Sequence, residues 1–228
     1  MTPRTWALGA FLITALPAMA AAQASDLDWS KCANRDHVYS LEDELAACTA
    51  ILGAAGETDA DRAIAYRDRG STYDELGDYS LAIADFDQAI RLDPSYANAY
   101  YSRGFTRMAL EDYASAVADF SESLKYEPAL ADAYLARGES YMHQGEFSKT
   151  VADLTDSIRL DPNNPAAFYL RGLARFELHD YRLAEADFTE TIRLDPQNGD
   201  ATFSARALAG CWARMLKPTT RALELRAQ

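Results

Sequence analysis

Residues 97–130 read ANAYYSRGFTRMALEDYASAVADFSESLKYEPAL, and this stretch decides the fold. Its first half, 97–110, is rich in alanine and places Tyr100, Gly104 and Arg107 at i, i+4 and i+7, one face of a helix. Glu111 and Asp112 break the pattern. Residues 113–126 resume it with Val117, Phe120 and Leu124 at i, i+3 and i+7. Glu127 and Pro128 then stop the second run, because proline disfavours helical geometry in the residue before it. The stretch therefore predicts two helices joined by a tight turn.

The same text is written four times. Pro94, Pro128, Pro162 and Pro196 are 34 residues apart, and Gly70, Gly104, Gly138 and Gly172 keep that step. So do Arg69, Arg103, Arg137 and Arg171, the aromatics Tyr66, Tyr100, Tyr134 and Phe168, and the set Phe86, Phe120, Leu154 and Phe188. A fixed period of this length marks an array of stacked supersecondary units. Four gapless units follow: 63–96, 97–130, 131–164 and 165–198. The recurrent glycine falls in mid-helix, where it costs about 1 kcal/mol relative to alanine. A cost repeated at one place implies close approach of the partner helix, with the second-helix Phe or Leu against it. Gly77 and Gly145 stand at the inner turn of units one and three, where a left-handed residue is useful.

Within one unit, Tyr66, Arg69-Gly70, Tyr73, Ala82, Phe86, Ala89 and Pro94 closely resemble the tetratricopeptide repeat family. Arg107 and Arg175 depart from it, standing where units one and three have Tyr73 and Tyr141. The resemblance implies an all-α, right-handed solenoid of antiparallel helix pairs. It also implies a concave groove built from the first helices of successive units, used to hold peptides or protein segments. The core face of each first helix runs through the aromatic and the glycine, so the stripe one residue further on, rotated by about 100°, should face the groove. That stripe is Arg67, Ser71 and Asp74 in unit one, and Tyr101, Phe105 and Met108 in unit two. It continues as Leu135, Glu139 and Met142, then Tyr169, Leu173 and Phe176. The groove is thus expected to begin polar and become apolar and aromatic. Relatives that clamp a terminal carboxylate use Asn and Lys there, and neither occurs in this stripe. An apolar-anchored segment, such as an amphipathic helix, is the expected occupant. The alternative is that these side chains pack against the next unit or the chain's own C-terminal helix.

The ends differ from the repeats, as solenoid ends must to cover an apolar face. Residues 1–24 read as a signal peptide: Arg4, an apolar run from Trp6 to Leu16, then small residues around Ala18, Ala20, Ala22 and Ala24. Residues 25–62 read as a capping helical segment, with Leu45, Cys48 and Leu52 at helical spacing and 57–61 as a polar loop. The Cys32 and Cys48 arrangement ahead of the repeats resembles short exported bacterial members of the family. Export to an oxidising compartment would favour a disulfide between them, across one helical hairpin. The alternative is that Cys48 is a small apolar core residue. Cys211 is expected to be a buried free thiol beside Trp212. Residues 199–228 read as a C-terminal capping helix or degenerate repeat.

Charge narrows the function. The chain carries 22 Lys plus Arg against 35 Asp plus Glu. That balance opposes nucleic-acid binding and an anionic membrane surface, both of which need a basic footprint. No stretch after the leader is long and apolar enough to cross a membrane. His37, His143 and His179 have no Cys, His or Asp at metal-ligand spacing, and no phosphate loop, nucleophile elbow or HExxH motif occurs. Neither catalytic residues nor a metal or cofactor site is expected. The repeated Arg69, Arg103, Arg137 and Arg171 recur with Asp85, Asp119, Asp153 and Asp187, and inter-helix ion pairing explains that recurrence better than a ligand ladder. The expected protein is an exported, periplasmic or secreted bacterial scaffold that holds a protein or peptide partner. A subunit of an envelope assembly that oligomerises through its repeats is the alternative, and concentration-dependent mass separates the two.

Overall fold

Capping chemistry sets the helix boundaries in the computed structural model, which describes residues 26–34, 38–197, 199–200 and 202. Among the described residues the chain forms ten helices and no strand. They are α1 (Asp26–Ala33), α2 (Leu41–Gly53), α3 (Asp59–Glu75), α4 (Tyr79–Leu92), α5 (Ala97–Ala109), α6 (Tyr113–Tyr126), α7 (Ala131–His143), α8 (Phe147–Leu160), α9 (Pro165–Glu177) and α10 (Tyr181–Leu194). The expected leader, the C-terminal segment beyond Thr202, Cys211 and His37 lie outside the described residues.

Second helices stop just before each proline. Asp93, Asp161 and Asp195 take non-helical backbone (φ −133°, −129° and −132°) ahead of Pro94, Pro162 and Pro196. The inner turns need a left-handed residue. Gly77 (φ 80°) and Gly145 (φ 75°) supply it in units one and three, while Glu111 (φ 59°) and His179 (φ 65°) adopt it in units two and four. One boundary differs from the sequence expectation. Residues 57–61 are not a loop throughout, because α3 already begins at Asp59. Thr58 and Asp61 form a reciprocal capping box, the Asp61 N–H donating to Thr58 Oγ1 at 3.1 Å and the Thr58 N–H donating to Asp61 Oδ2 at 3.0 Å. That pair satisfies two backbone donors and starts the helix a turn early.

Each first helix packs along its own second helix, and each second helix along the next first helix. First helices also touch one another, α3 with α5, α5 with α7 and α7 with α9, so they form one row. The mid-helix glycines sit where a Phe or Leu crosses. A methyl group at Gly104 would lie 2.7 Å from a Phe120 ring carbon, and one at Gly172 equally close to Phe188. Phe86, Phe120, Leu154 and Phe188 are buried, each contributing about 1.5–3 kcal/mol. Thr150 takes the place of Ala82, Ala116 and Ala184 and donates its buried hydroxyl to Gly138 O at 3.1 Å.

The repeated charges are structural. Every repeat arginine makes a two-pronged bond to its own second-helix aspartate, for example Arg137 Nε to Asp153 Oδ2 at 2.7 Å and Nη2 to Oδ1 at 2.8 Å. Its remaining donor reaches back to the preceding second helix: Arg137 to Ser121, Arg171 to Thr155, Arg103 to Asp87 and, at the cap, Arg69 to Thr49. Each guanidinium also lies 5.5–5.6 Å from the centre of the aromatic ring three residues earlier in its own helix.

Candidate protein-binding face

The stripe one residue beyond the core face divides into packed and open members. Tyr101 and Met108 pack against Ala116, Phe120 and Ala136. Tyr169 and Leu173 pack against Ala184 and Phe188. Burial, assisted by the nearby Asp132 carboxylate, pushes the Tyr101 phenol up to about 12. Leu135 and Met142 are half-buried. Phe105 and Phe176 remain 40 % exposed. The Phe105 ring nevertheless has a fixed seat, edge-on to Tyr101 at 4.8 Å and to Phe120 at 5.4 Å. Phe176 meets Tyr181 at 5.4 Å in the same edge-on manner.

A pocket of about 200 Å³ opens at the junction of α3 and α5, lined by Ser71, Asp74, Glu75, Phe86, Tyr101, Ser102 and Phe105. Its lining combines the aromatic rings of Phe86, Tyr101 and Phe105 with the carboxylates of Asp74 and Glu75. Thr106 donates to Asp74 at 2.6 Å and so joins the polar stripe of unit one to unit two. Arg67 is not a free cation: it pairs with Asp68 at 2.9 Å and donates to Tyr96 Oη at 3.3 Å.

A second concavity was not anticipated from the sequence. A cleft of about 630 Å³ lies at the amino-terminal end, among Trp29, Val38, Tyr39, Ile64 and Arg67. It is bordered by α1, which the Cys32–Cys48 disulfide ties to α2. Below it the buried carboxylate of Glu44 accepts from Asn34 and, at 2.9 Å, from the Thr72 hydroxyl of α3. Asn34 also accepts the Val38 and Tyr39 N–H groups. Asn34 and Glu44 are ordinary letters in the sequence; only the tertiary meeting of three segments gives them this role.

His143 is stacked on Tyr113 at 4.3 Å and His179 bonds the Tyr181 hydroxyl at 2.9 Å. Among the described residues no group of three His, Cys, Asp or Glu could hold a metal ion, and no helix is long and apolar enough to cross a membrane.

A family model described as TPR repeat matches residues 65–110, and another described as Tetratricopeptide repeat matches 106–165, 151–199 and 169–209. No curated protein matches the sequence significantly. Among solved structures, MamA 41-end from Desulfovibrio magneticus RS-1 superposes with a TM-score of 0.66 at 21 % identity, covering 77 % of this chain and 99 % of that one. YrrB, described as a TPR protein with an unusual peptide-binding site, superposes with a TM-score of 0.65 at 20 % identity, covering 77 % of this chain and 88 % of that one. At these identities the likeness concerns the fold.

Proposed function

The chain belongs to the tetratricopeptide repeat family, and from that premise we propose that it is a non-enzymatic scaffold of the bacterial cell envelope. It holds a peptide or protein segment against the row of first helices. The observation that carries this reading is the pair of phenylalanines, Phe105 and Phe176, each seated by ring contacts yet 40 % exposed on the same helix row. An exposed aromatic side chain already held in place loses less freedom on binding, which suits it to anchor a partner. YrrB, of similar fold, carries a peptide-binding site. The disulfide supports an oxidising compartment.

Tyr101, Met108, Tyr169 and Leu173 belong to the same face but double as packing residues, so they are poor probes of binding. The test therefore uses Phe105→Ser with Phe176→Ser. Wild-type protein presented with a displayed random-peptide library is expected to enrich apolar, aromatic peptides. The double variant is expected to lose that enrichment at unchanged melting temperature. Undiminished enrichment would move the binding site elsewhere, with the amino-terminal cleft the next place to look.

A further inference from the structure

The unpaired charges on the first helices α5, α7 and α9 are of one sign. Helices α5, α7 and α9 contain no lysine, and all their arginines are engaged inward. Arg103 and Arg107 hold Asp119, Arg137 holds Asp153, and Arg171 and Arg175 hold Asp187. The acids of the same three helices are Asp132, Glu139 and Glu177. Among the described residues none of these has an ion-pair partner. Asp132, Leu135, Glu139 and Met142 fall at i, i+3, i+7 and i+10, so these carboxylates share the helix face of the apolar stripe. Asp132 also lies close enough to Tyr101 for its charge to act on the phenol. At the unit-one end, Asp74 and Glu75 line the Phe105 pocket. The arginine ladder thus has a second consequence besides stacking. It turns the arginines of α5, α7 and α9 inward, while Arg67 of the unit-one stripe is held by Asp68 and Tyr96, and it leaves aromatic seats bordered by carboxylates without an ion-pair partner.

We propose that the segment held here is a basic amphipathic stretch of a partner protein. Its apolar side chains meet Phe105, Phe176 and the α3/α5 pocket, and its Lys or Arg side chains meet Asp74, Glu75, Asp132, Glu139 and Glu177. Such a field speeds encounter with a cationic segment and rejects an acidic one, so it selects partners more than it adds affinity. The inference rests on the function proposed above and adds the chemical class of the partner.

The probes are fluorescent peptides of equal length, one built of Lys and Leu, one of Glu and Leu, each with a helical apolar stripe. They are titrated by anisotropy into the full-length protein at low and high salt. The Lys/Leu peptide is expected to bind about tenfold more tightly or better than the Glu/Leu peptide, with the advantage shrinking as salt rises. The triple change Asp132→Asn, Glu139→Gln and Glu177→Gln is expected to remove most of it. A control triple with the same change in net charge, Glu42→Gln, Glu127→Gln and Glu185→Gln, is expected to leave it intact. Equal loss in both triples, or a salt-independent preference in the wild type, overturns the proposal. If Phe105→Ser with Phe176→Ser weakens both peptides equally and the sign of charge makes no difference, the face binds but the charge inference fails. If that variant alters neither peptide's binding, the functional reading itself fails. The chain's own residues 203–228 carry Arg206, Arg214, Lys217, Arg221 and Arg226 against Glu224. Binding that appears only after Arg206, Arg214, Lys217 and Arg221 are changed to Glu would assign the face to that segment and overturn the proposal of a foreign partner.

Discussion

Gly104 and Phe120 show how one residue pair sets the spacing of a repeat. The missing side chain of the glycine is filled by the phenylalanine edge, and a methyl there would stand 2.7 Å from the ring. Alanine at that place would gain about 1 kcal/mol of helix propensity. Forcing a ring aside in a packed interface costs about 1–3 kcal/mol. The clash is the larger effect, so Gly104→Ala is expected to lower stability in urea denaturation by about 1 kcal/mol. Unit three provides the internal contrast. A methyl at Gly138 would lie 3.1 Å from the branch carbon of Leu154, a smaller and more mobile side chain than a ring. Gly138→Ala should therefore be close to neutral. Adding Phe120→Leu to Gly104→Ala should recover part of the loss, relative to the sum of the two single changes. Equal stability of the two alanine variants would refute this account of the glycines. The position of each glycine was legible as a mid-helix cost repeated at a fixed step. The ring atoms that impose it became visible only with the helix crossing.

At the scale of elements, the arginine–aspartate pairs clamp three helices at once, and the units do so unequally. In units one and three the aspartate has a single arginine, Arg69 or Arg137. In units two and four a second arginine, Arg107 or Arg175, reaches the same carboxylate at 2.8 and 2.7 Å. These two arginines read in the sequence as departures from the repeat pattern, in the place of tyrosine. Structurally they reinforce the clamp, and their shared offset of 12 residues from Asp119 and Asp187 is the signal that marks them. The carboxylates are almost fully shielded, with side-chain exposures of 3–9 % across the four units. Removing a partner from a shielded pair leaves an uncompensated charge and costs about 3–5 kcal/mol. Arg137→Ala should thus be strongly destabilising in thermal or urea unfolding. Arg103→Ala should cost distinctly less, because Asp119 keeps Arg107. The exposed pair Lys125–Glu122 serves as the reference, where Lys125→Ala should change stability by under about 1 kcal/mol. If Arg103→Ala costs as much as Arg137→Ala, the second arginine does not share the load.

The whole molecule is a one-dimensional stack, so damage at one end need not spread. The repeated middle, the turn positions and the proline stops could be read from the 34-residue step, because each unit meets the same neighbours, but not that Glu111 and His179 take the left-handed conformation that glycine takes in units one and three. The amino-terminal cap could not be read to the same depth. Its shape depends on Asn34, just past α1, meeting Glu44 of α2, which in turn meets Thr72 of α3, and nothing in their spacing announces that. The proposed binding face lies between these cases: its stripe followed from helical geometry, but the split into packed Tyr101 and open Phe105 depends on where neighbouring helices lie. The cap also carries the last expectation. Helix α1 has only eight residues, well below the length at which an isolated helix holds together in water. Trp29 and Cys32 pack it into the Ala47, Cys48, Ile51 and Ala65 cluster, and the Cys32–Cys48 bridge closes a loop with a sequence separation of 16. A loop of that size corresponds to about 3 kcal/mol in the chain-entropy description. Helix α2 has independent ties, through Ile51 against Ala65 of α3 and Glu44 against Thr72. Reduction should therefore release α1 first, weaken α2 less, and leave α5 to α10 as they were. Hydrogen exchange followed by mass spectrometry on oxidised and reduced protein resolves these segments. The expected result is faster exchange confined to residues 26–53, greatest in α1. Uniform loss of protection along the stack would show that the cap is not an independent end but the cornerstone of a single cooperative unit.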